Sequence, residues 1–441
     1  MRQLFLSFLL VGTLTAGAQS TTASQVARIS TDDAVERPLF KTFPGEIPYR
    51  IPAIAVNRRG ELIAVSDYRP CGGDIGFGKV DLRYRISDNN GATWSREYVL
   101  AEGDGVKGSK TCGYGDAAIA ADRGSDEAVV VCVTGNTVYG SSSTTRKNPN
   151  RVAVLHSTDG GHHWGRPVDI TEQIYALFDQ SRLGPVDALF FGSGRICQSR
   201  LIRAGHYYRL YAALCARPGG NRVVYSDDLG RTWQALGDIH TSPAPNGDEP
   251  KVEELPNGDV LLSSRVSGGR LFNIFHYLSE RNATGTWEQQ PVLSQKENGG
   301  IKALQNSTNG EILLVDARDN ATHRPVRLAL QSVPLGPGRT NVGIYYKALP
   351  TNKRHAAEWE HYTAKDFATG WGGPLKVTTL GSAYSTMVQQ TDGRIAFFYE
   401  EETYGKGACY TNMYVPLTLE RITDGKFSAL HTQLPPKAKR R

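Results

Sequence analysis

The chain has 441 residues, of which 39% are hydrophobic and 21% charged, and its formal net charge is +6. Four of the positive charges fall in the last five residues, and no basic stripe with interleaved aromatic residues occurs elsewhere, so the composition argues against a nucleic-acid-binding protein. The length would suit two or three domains, but repeated all-β folds can hold this many residues in a single domain.

The N-terminus has the pattern of a secretory signal. Arg2 is followed by an apolar run from Leu4 through Leu14 and then by Ala16-Gly17-Ala18, which is typical of cleavage after Ala18. The apolar run is too short for a permanent membrane span, and no other stretch suits one, so we expect a secreted or periplasmic protein. The predicted segments are a signal peptide (1–18), a flexible N-terminal segment (19–41), one large domain (42–432) and a basic tail (433–441).

Short β-hairpins recur along the large domain. Ile51–Val56 and Leu62–Ser66 are joined by a turn that ends at Gly60, and Leu255-Pro256-Asn257-Gly258-Asp259 precedes another apolar run. Asn-Gly and Asp-Gly turns precede further apolar runs near residues 312 and 395. Only Glu172–Phe178 has a helical pattern, so we predict an all-β protein.

A turn sequence, Ser-x-Asp-x-Gly-x-x-Trp, occurs three times and is called the turn box below. The boxes end at Trp94, Trp164 and Trp233, which are 70 and 69 residues apart. Asn89 replaces Asp in the first box, and an Asn side chain can still accept the hydrogen bonds of the turn. A degraded fourth copy ends at Trp287. A sheet-rich repeat of this period predicts a six-bladed β-propeller of four-stranded antiparallel blades, since six blades fit the length better than seven.

The six cysteines are even in number, so an exported chain could hold disulfides. Cys197 and Cys215 flank a turn at Gly205 and could pair across a hairpin, but the sequence leaves the pairing open. No spacing typical of a metal site occurs.

The motif Tyr49-Arg50-Ile51-Pro52 places an arginine at the start of a predicted innermost strand, ahead of the three turn boxes. A lone arginine there would usually be a surface residue. Together with the polar positions that follow in order, however, the motif and the boxes resemble the sialidase (neuraminidase) family in its exported bacterial form, from about Tyr49 to about Tyr414.

The resemblance implies that three arginines clamp the carboxylate of sialic acid. A planar guanidinium suits a carboxylate because it can donate two parallel hydrogen bonds. Arg50 matches the first arginine, Arg265 the second, and Arg339, in Gly338-Arg339-Thr340-Asn341, the third. Arg324 and Arg327 are strand-flanking alternatives for the third position.

Three further residues match sugar-contacting or acid/base positions of the family. Arg69 and Asp116 resemble an additional Arg and Asp that contact the sugar, although either could belong to a structural ion pair. Asp74, in the glycine-rich stretch Gly72-Gly73-Asp74-Ile75-Gly76, resembles the family's acid/base. Its alternative is a simple turn aspartate, like Asp67 nearby.

Glu249 and Tyr384 complete the implied catalytic set. Glu253 and Glu254 are rivals for the carboxylate role, but Glu249 precedes the predicted strand and matches the family in its distance from Arg265. Sialic acid carries a carboxylate on its anomeric carbon, which would repel an anionic nucleophile, whereas a phenol deprotonated by Glu249 as it attacks avoids that repulsion.

The resemblance thus implies an exo-α-sialidase that hydrolyses terminal sialic acids with retention, through a covalent sialyl-tyrosine. The expected partners are sialylated glycans of glycoproteins, gangliosides and mucin, and we expect a monomer that needs no metal or organic cofactor. A trans-sialidase would share every named residue. A sialic-acid-binding lectin would need only the arginines, and an unrelated propeller would need only the turn boxes.

Overall fold

The structure is a computed structural model that describes residues 35–304 and 308–430. The predicted signal peptide, the basic tail and most of the predicted flexible segment lie outside the described residues. The strands are, in chain order, β1 (Arg37–Phe40), β2 (Tyr49–Val56), β3 (Leu62–Tyr68), β4 (Asp81–Ser87), β5 (Tyr98–Ala101), β6 (Tyr114–Ala121), β7 (Ala128–Thr134), β8 (Arg151–Ser157), β9 (Val168–Asp169), β10 (Ala188–Phe191), β11 (Gly194–Arg195), β12 (Cys197–Ala204), β13 (Tyr207–Arg217), β14 (Arg222–Ser226), β15 (Gln234–Ala235), β16 (Pro250–Glu254), β17 (Val260–Val266), β18 (Gly269–Ser279), β19 (Thr284–Trp287), β20 (Val292–Gln295), β21 (Ile312–Asp319), β22 (Pro325–Pro334), β23 (Val342–Ala348), β24 (Gly372–Lys376), β25 (Ser382–Gln389), β26 (Ile395–Glu401), β27 (Thr411–Leu417) and β28 (Phe427–Ala429).

These strands form six small sheets, which are the blades of a six-bladed β-propeller. Blade 1 is β2-β3-β4-β5, and blade 2 is β6-β7-β8-β9 with β11 on its inner edge. In blade 3, β10 and β12 share the inner edge of β13, which is followed by β14 and β15. Blade 4 is β16-β17-β18 with β19 and β20 outside, blade 5 is β21-β22-β23-β24 with β28, and blade 6 is β25-β26-β27-β1. The predicted propeller is confirmed, and four of its sheets have five strands rather than four.

The first described strand corrects a predicted boundary. Strand β1 pairs with β27 and so forms the outer edge of the last blade. Phe40 is 1% exposed and packs near Tyr49 and Phe398. The propeller therefore begins before residue 42, and the prediction of a flexible segment through residue 41 is wrong at its end, because two apolar residues of Arg37–Phe40 are buried.

Helices are few and short in the described part of the chain. The predicted helix at Glu172–Phe178 is present as α1 (Thr171–Tyr175) followed by a 3-10 turn (Ala176–Phe178). The remaining helical segments, which were not predicted because each spans only about one turn, are α2 (Ala364–Ala368), α3 (Leu419–Ile422) and the 3-10 turns Lys296–Asn298 and Ala357–Trp359. No helix among the residues 35–304 and 308–430 is long and apolar enough to cross a bilayer.

The hydrophobic core lies between the blades. Six buried apolar clusters each combine residues of two adjacent blades, and together they pass around the whole ring. The cluster between blades 6 and 1, for example, contains Phe398 together with Ile54 and Ala64. No blade covers its own faces, so each depends on its two neighbours for burial.

The turn boxes have the hydrogen bonds that the sequence predicts. In each box the Ser hydroxyl accepts a hydrogen bond from the Gly N–H. The side-chain Oδ1 of the Asp or Asn accepts one from the backbone N–H four residues later. These bonds are Gly91 to Ser87 and Thr93 to Asn89 (both 2.9 Å), Gly161 to Ser157 and His163 to Asp159 (both 2.9 Å), and Gly230 to Ser226 and Thr232 to Asp228 (both 2.8 Å). Asn89 thus replaces Asp without loss of this bond.

Each turn box also binds the preceding blade. The residue before the box glycine has a positive φ, and its carbonyl accepts a hydrogen bond from a side chain of that neighbour. The pairs are Gln390 with Asn90 (2.9 Å), Asn57 with Gly160 (2.8 Å) and His156 with Leu229 (3.0 Å). The boxes therefore link the blades as well as turn the chain.

All six cysteines are free thiols. Cys197 lies opposite Tyr211, whereas Cys215 lies opposite Phe190 on another strand. The Cys197–Cys215 pair, which the sequence left open, does not form, because the register of the hairpin separates the two residues by four positions along β13.

Candidate active site

One cavity of about 360 Å³ is lined by all eight site residues that the sequence predicts. They are Arg50, Arg69, Asp74, Asp116, Glu249, Arg265, Arg339 and Tyr384. Most lie where an innermost strand begins or where the second strand of a blade ends, and both positions open on the same face of a propeller. Two larger grooves, around Arg151 and around Trp94, are lined by none of them.

Tyr384 and Glu249 form the shortest polar contact of the cavity. The Tyr384 hydroxyl donates to Oε1 of Glu249 at 2.5 Å. The other carboxylate oxygen, Oε2, accepts from Nη1 of Arg265 at 2.9 Å and from the Asn309 N–H at 3.0 Å. Glu249 is thus fixed in one orientation, with one oxygen reserved for the phenol.

Burial controls the ionisation of this pair. Loss of solvent raises the pKa of the Tyr384 phenol well above its usual range, and the Glu249 carboxylate raises it further. Burial also raises the pKa of Glu249, although the Arg265 guanidinium opposes that shift. The phenol is therefore neutral at neutral pH and needs a base to lose its proton.

Arg50 is held by a buried carboxylate that the sequence analysis did not identify. Glu400 accepts from Nε of Arg50 at 2.8 Å and from its Nη2 at 3.3 Å. The same carboxylate accepts from the N–H groups of Ile51 (2.7 Å) and Tyr384 (3.2 Å). Glu400 therefore fixes the starts of the two innermost strands that supply Arg50 and Tyr384.

The other two arginines of the predicted clamp differ in their partners. Arg265 contacts Glu249 and also Oδ2 of Asp248, at 3.4 Å from its Nε. Arg339 lies 5.8 Å from the Tyr384 ring centroid, measured from its Cζ, and no carboxylate in the described part of the chain lies within ion-pair distance of it. Arg339 is thus available to bind an anion.

Arg69 joins three carboxylates. Its Nη2 lies 2.8 Å from Asp67, 3.2 Å from Asp74 and 3.6 Å from Asp116. Asp67 also accepts from the Asp116 N–H at 3.0 Å, where Asp116 has a φ of +53°. Arg69 therefore fits both interpretations: it belongs to a structural ion-pair network, and it also lines the cavity where a sugar could bind.

Asp74 and Asp116 differ in solvent exposure. The Asp74 side chain is 60% exposed on the loop between β3 and β4, whereas that of Asp116 is 20% exposed. Burial raises the pKa of Asp116 well above its ordinary value, and the Asp74 and Asp67 carboxylates add to the shift. Asp74 also accepts from the Ile75 N–H at 2.8 Å, so it makes a turn contact as well as facing the cavity.

The rivals that the sequence left open lie elsewhere. Glu253 is buried against Arg195 and Arg200, and Glu254 accepts from the Ser199 hydroxyl. Arg327 pairs with Asp316 at 2.8 Å. None of these residues lines the cavity, and neither does Arg324.

Glu400 and Asp248 were not predicted from the sequence, and Asp67 was predicted only as a turn residue. A signal was present for two of them, because Asp67 and Glu400 are charged residues inside apolar strands, and buried charges need partners. Asp248 has no such signal because it precedes its strand. One wall of the cavity, formed by Ile75, Val133, Val138 and Phe190, is apolar and was not foreseen.

Comparison with known proteins gives relatives of one kind. A scan against models of protein families gives no match. A sialidase of Micromonospora viridifaciens is 28% identical over 373 residues, which is 82% of this chain and 51% of that protein. A sialidase of Bacteroides fragilis is 26% identical over 367 residues, 77% of this chain and 60% of that protein.

The chain is similar to bacterial sialidases over most of its length. It spans about half the length of the Micromonospora viridifaciens sialidase.

Solved sialidase structures share the fold. A Hadza microbial sialidase superposes with a TM-score of 0.62 at 20% identity and covers 85% of this chain and 66% of its own. A Trypanosoma rangeli sialidase, solved as a covalent intermediate with 2,3-difluorosialic acid, superposes with a TM-score of 0.60 at 16% identity. The match covers 88% of this chain and 59% of that one. A leech intramolecular trans-sialidase superposes with a TM-score of 0.63 at 14% identity, and the match covers 87% of this chain and 70% of that one. These likenesses support the propeller fold.

Proposed function

We propose that the protein is an exo-α-sialidase that hydrolyses terminal sialic acids from glycoproteins, glycolipids and oligosaccharides with retention of configuration. The observation that carries the proposal is the 2.5 Å contact between the Tyr384 phenol and Glu249 in a cavity that three arginines line. A lectin would need the arginines but would have no use for a buried phenol paired with a base.

The charges of the cavity suit a sugar that bears its own carboxylate. Arg50 and Arg265 are oriented by Glu400 and Glu249, while Arg339 has no carboxylate within ion-pair distance among the described residues. A substrate carboxylate would complete the coordination of the three guanidinium groups through charge-assisted hydrogen bonds. The apolar wall at Val138 and Phe190 would accommodate an uncharged substituent of the same sugar.

In the first chemical step, the Tyr384 oxygen attacks the anomeric carbon while Glu249 takes the phenol proton. Asp74 donates a proton to the leaving glycosidic oxygen, the glycosidic bond breaks, and a sialyl-tyrosine forms. Sialidases are exceptions among glycosidases in using a tyrosine nucleophile. A neutral phenol approaches the substrate carboxylate without the repulsion that an aspartate or glutamate would meet.

In the second step, Asp74 takes a proton from a water molecule, which attacks the anomeric carbon. The bond to Tyr384 breaks, and the phenolate recovers its proton from Glu249. The exposed position of Asp74 on a loop fits a group that must meet both a departing alcohol and an incoming water.

Trapping of the intermediate tests the proposal. A 2,3-difluorosialic acid should leave its sugar on the protein, and peptide mapping should place the added mass on the peptide that contains Tyr384. Tyr384→Phe should abolish labelling, and Glu249→Gln should slow it without moving the site. An adduct on Asp74 or Glu249 would refute the assignment of the nucleophile.

Two simpler measurements separate the alternatives. Release of the aryl group from an aryl sialoside distinguishes an enzyme from a lectin. Addition of lactose distinguishes hydrolysis from transfer, because a trans-sialidase would form sialyllactose whereas the proposed hydrolase releases free sialic acid. Sialyllactose as the main product would overturn hydrolysis as the function.

A further inference from the structure

Exposed apolar side chains surround the mouth of the active-site cavity. Of the thirteen large apolar side chains that are exposed in the described part of the chain, seven lie on loops at the ends of strands that open on the cavity face. These seven, which we call the rim residues, are Phe43 and Ile47 before β2, Phe77 after β3, Val106 before β6, Leu183 before β10, Leu304 before β21 and Leu380 before β25.

Strand direction places the rim residues on the cavity face. Arg50 lies at the start of β2, Asp116 near the start of β6 and Tyr384 near the start of β25, and all three line the cavity. The loops that enter these strands therefore open at the same end of the propeller. Leu278, by contrast, is 83% exposed at the far end of β18, away from the cavity.

Two rim residues, Leu380 and Phe77, connect directly with the site. The Leu380 carbonyl accepts from the N–H of Asn341 at 3.1 Å, two residues from Arg339. The Phe43 ring lies 4.6 Å from that of Tyr404. Phe77, which is 65% exposed, lines the cavity itself. The rim therefore meets the binding site at Phe77 and Leu380, while Phe43, Val106 and Leu183 lie outside the cavity lining.

Basic residues accompany the rim. Within two residues of the rim side chains lie five basic residues and two acidic ones. The basic residues are Lys41, Lys79, Lys107, Arg182 and Lys302, and the acidic residues are Glu46 and Asp104. Asp104 is occupied by hydrogen bonds within its own loop, and Lys79 pairs with Glu102 at 2.7 Å, which leaves four basic residues against one acidic residue. The excess of basic charge would repel a second copy of the same face and attract an anionic surface.

We propose that this face docks on an anionic lipid membrane, where it removes sialic acid from sialylated glycolipids. Exposed apolar side chains among basic ones are the combination that binds the membrane interface, since the apolar groups enter the headgroup region while the cations contact anionic lipids. Docking would place the cavity mouth directly over headgroups that carry sialic acid. The choice of substrate rests on the proposed function, whereas the docking does not.

Vesicle binding tests the docking without any sialic acid. The full chain should co-sediment with phosphatidylcholine vesicles that contain phosphatidylserine, more weakly with phosphatidylcholine alone, and less as salt rises. Phe43→Ser, Val106→Ser and Leu183→Ser combined should lower partition about tenfold or more. Leu278→Ser, equally apolar and more exposed but remote from the cavity, should bind as the parent does.

Activity on two substrates distinguishes an error in the membrane docking from an error in the proposed sialidase activity. The triple variant should keep parental kcat/KM on soluble sialyllactose but lose at least about fivefold on a ganglioside in phosphatidylserine vesicles. Vesicle binding without any sialidase activity would leave the docking in place and overturn the proposed function. Absence of vesicle binding, an equal loss with Leu278→Ser, or concentration-dependent self-association through this face would overturn the docking.

Discussion

Two of the three arginines in the cavity, Arg50 and Arg265, form ion pairs with carboxylates, whereas Arg339 has no such partner among the described residues. Glu400, on the second strand of blade 6, orients Arg50, and Glu249, just before the innermost strand of blade 4, orients Arg265 before any substrate arrives. For Arg339, no ion-pair partner lies among the residues that the structure describes, so its charge is the least compensated of the three. The site therefore combines two arginines that the protein already holds in place with a third, Arg339, whose guanidinium gains a carboxylate partner only when the ligand binds.

Arg339→Lys should lower kcat/KM by about 30-fold or more, equivalent to about 2 kcal/mol, because a lysine ammonium cannot donate a bidentate pair. The matched control is Arg327→Lys, whose parent residue pairs with Asp316 outside the cavity. Steady-state kinetics on an aryl sialoside measure both. Loss of activity with Arg327→Lys and not with Arg339→Lys would show that the third arginine was assigned wrongly.

Asp74→Asn should separate substrates by their leaving groups. Cleavage of natural glycosides should fall by about 10³-fold, while cleavage of activated aryl sialosides, whose leaving groups need little protonation, should fall far less. Asp88→Asn, at an exposed turn position, is the control. Equal losses on both kinds of substrate would mean that Asp74 is not the acid.

The turn box connects neighbouring blades as well as turning the chain. A Cβ added to Gly161 would lie 2.4 Å from Cδ1 of Ile63 in the preceding blade, and Gly161 has a φ of +91°. The glycine is therefore required both by the turn and by the neighbour. Only the first requirement is predictable from the sequence, because the contact with Ile63 depends on how the blades assemble.

Gly161→Ala should lower the free energy of unfolding by at least about 2 kcal/mol, since the added methyl group forces a shift in a packed core. Gly205→Ala should cost about 1 kcal/mol, because its positive φ is strained for alanine but no atom lies within 4 Å of the added Cβ. Urea denaturation of both variants measures the difference. Equal losses would show that the box does not bind its neighbour.

His276 links two carboxylates on blade 4. Its Nδ1 lies 2.9 Å from Asp259 and its Nε2 3.2 Å from Glu288, and these hydrogen bonds raise the pKa of His276 to about 9. A raised pKa in the folded state contributes stability that is present in full below the unfolded value of about 6.5 and is lost as pH rises through about 9. The parent should thus lose stability between these pH values, and His276→Gln should not.

Thermal melts across this pH range compare the two proteins. The contribution is screened because the His276 side chain is 39% exposed, so the difference between the two curves should be small but directional. Parallel curves for parent and variant would exclude a stabilising charge on His276.

At the scale of the whole molecule, the ring is closed by strands from opposite ends of the chain. Phe40 of β1 is buried where blades 6 and 1 meet. Phe40→Ala should destabilise the protein by about 3–5 kcal/mol through the cavity it leaves. Phe43→Ala, three residues later and 40% exposed, should change stability by less than about 0.5 kcal/mol. Chemical denaturation distinguishes them, and similar losses would argue against closure through Phe40.

The fold could be predicted from the repeat of the turn box and from the hairpins, because these signals are local in the sequence. The grouping of the site residues was predictable only through resemblance, since Glu249 and Tyr384 are 135 positions apart and no local pattern joins them. The strand at Arg37–Phe40 was missed for the same reason. Its short polar-to-apolar sequence has no strand signal until β27 supplies hydrogen bonds.

The closure by β1 also determines the order in which the chain can fold. Thr42 donates its N–H to the Thr411 hydroxyl, a partner 369 positions later. A ribosome makes Thr42 long before Thr411, so β1 has no partner strand while the five blades between them are made. Completion of the ring is then a late, long-range event. Once it has occurred, β1 is held by β27 as the outer strand of blade 6 rather than as a loose segment at which proteolysis could start.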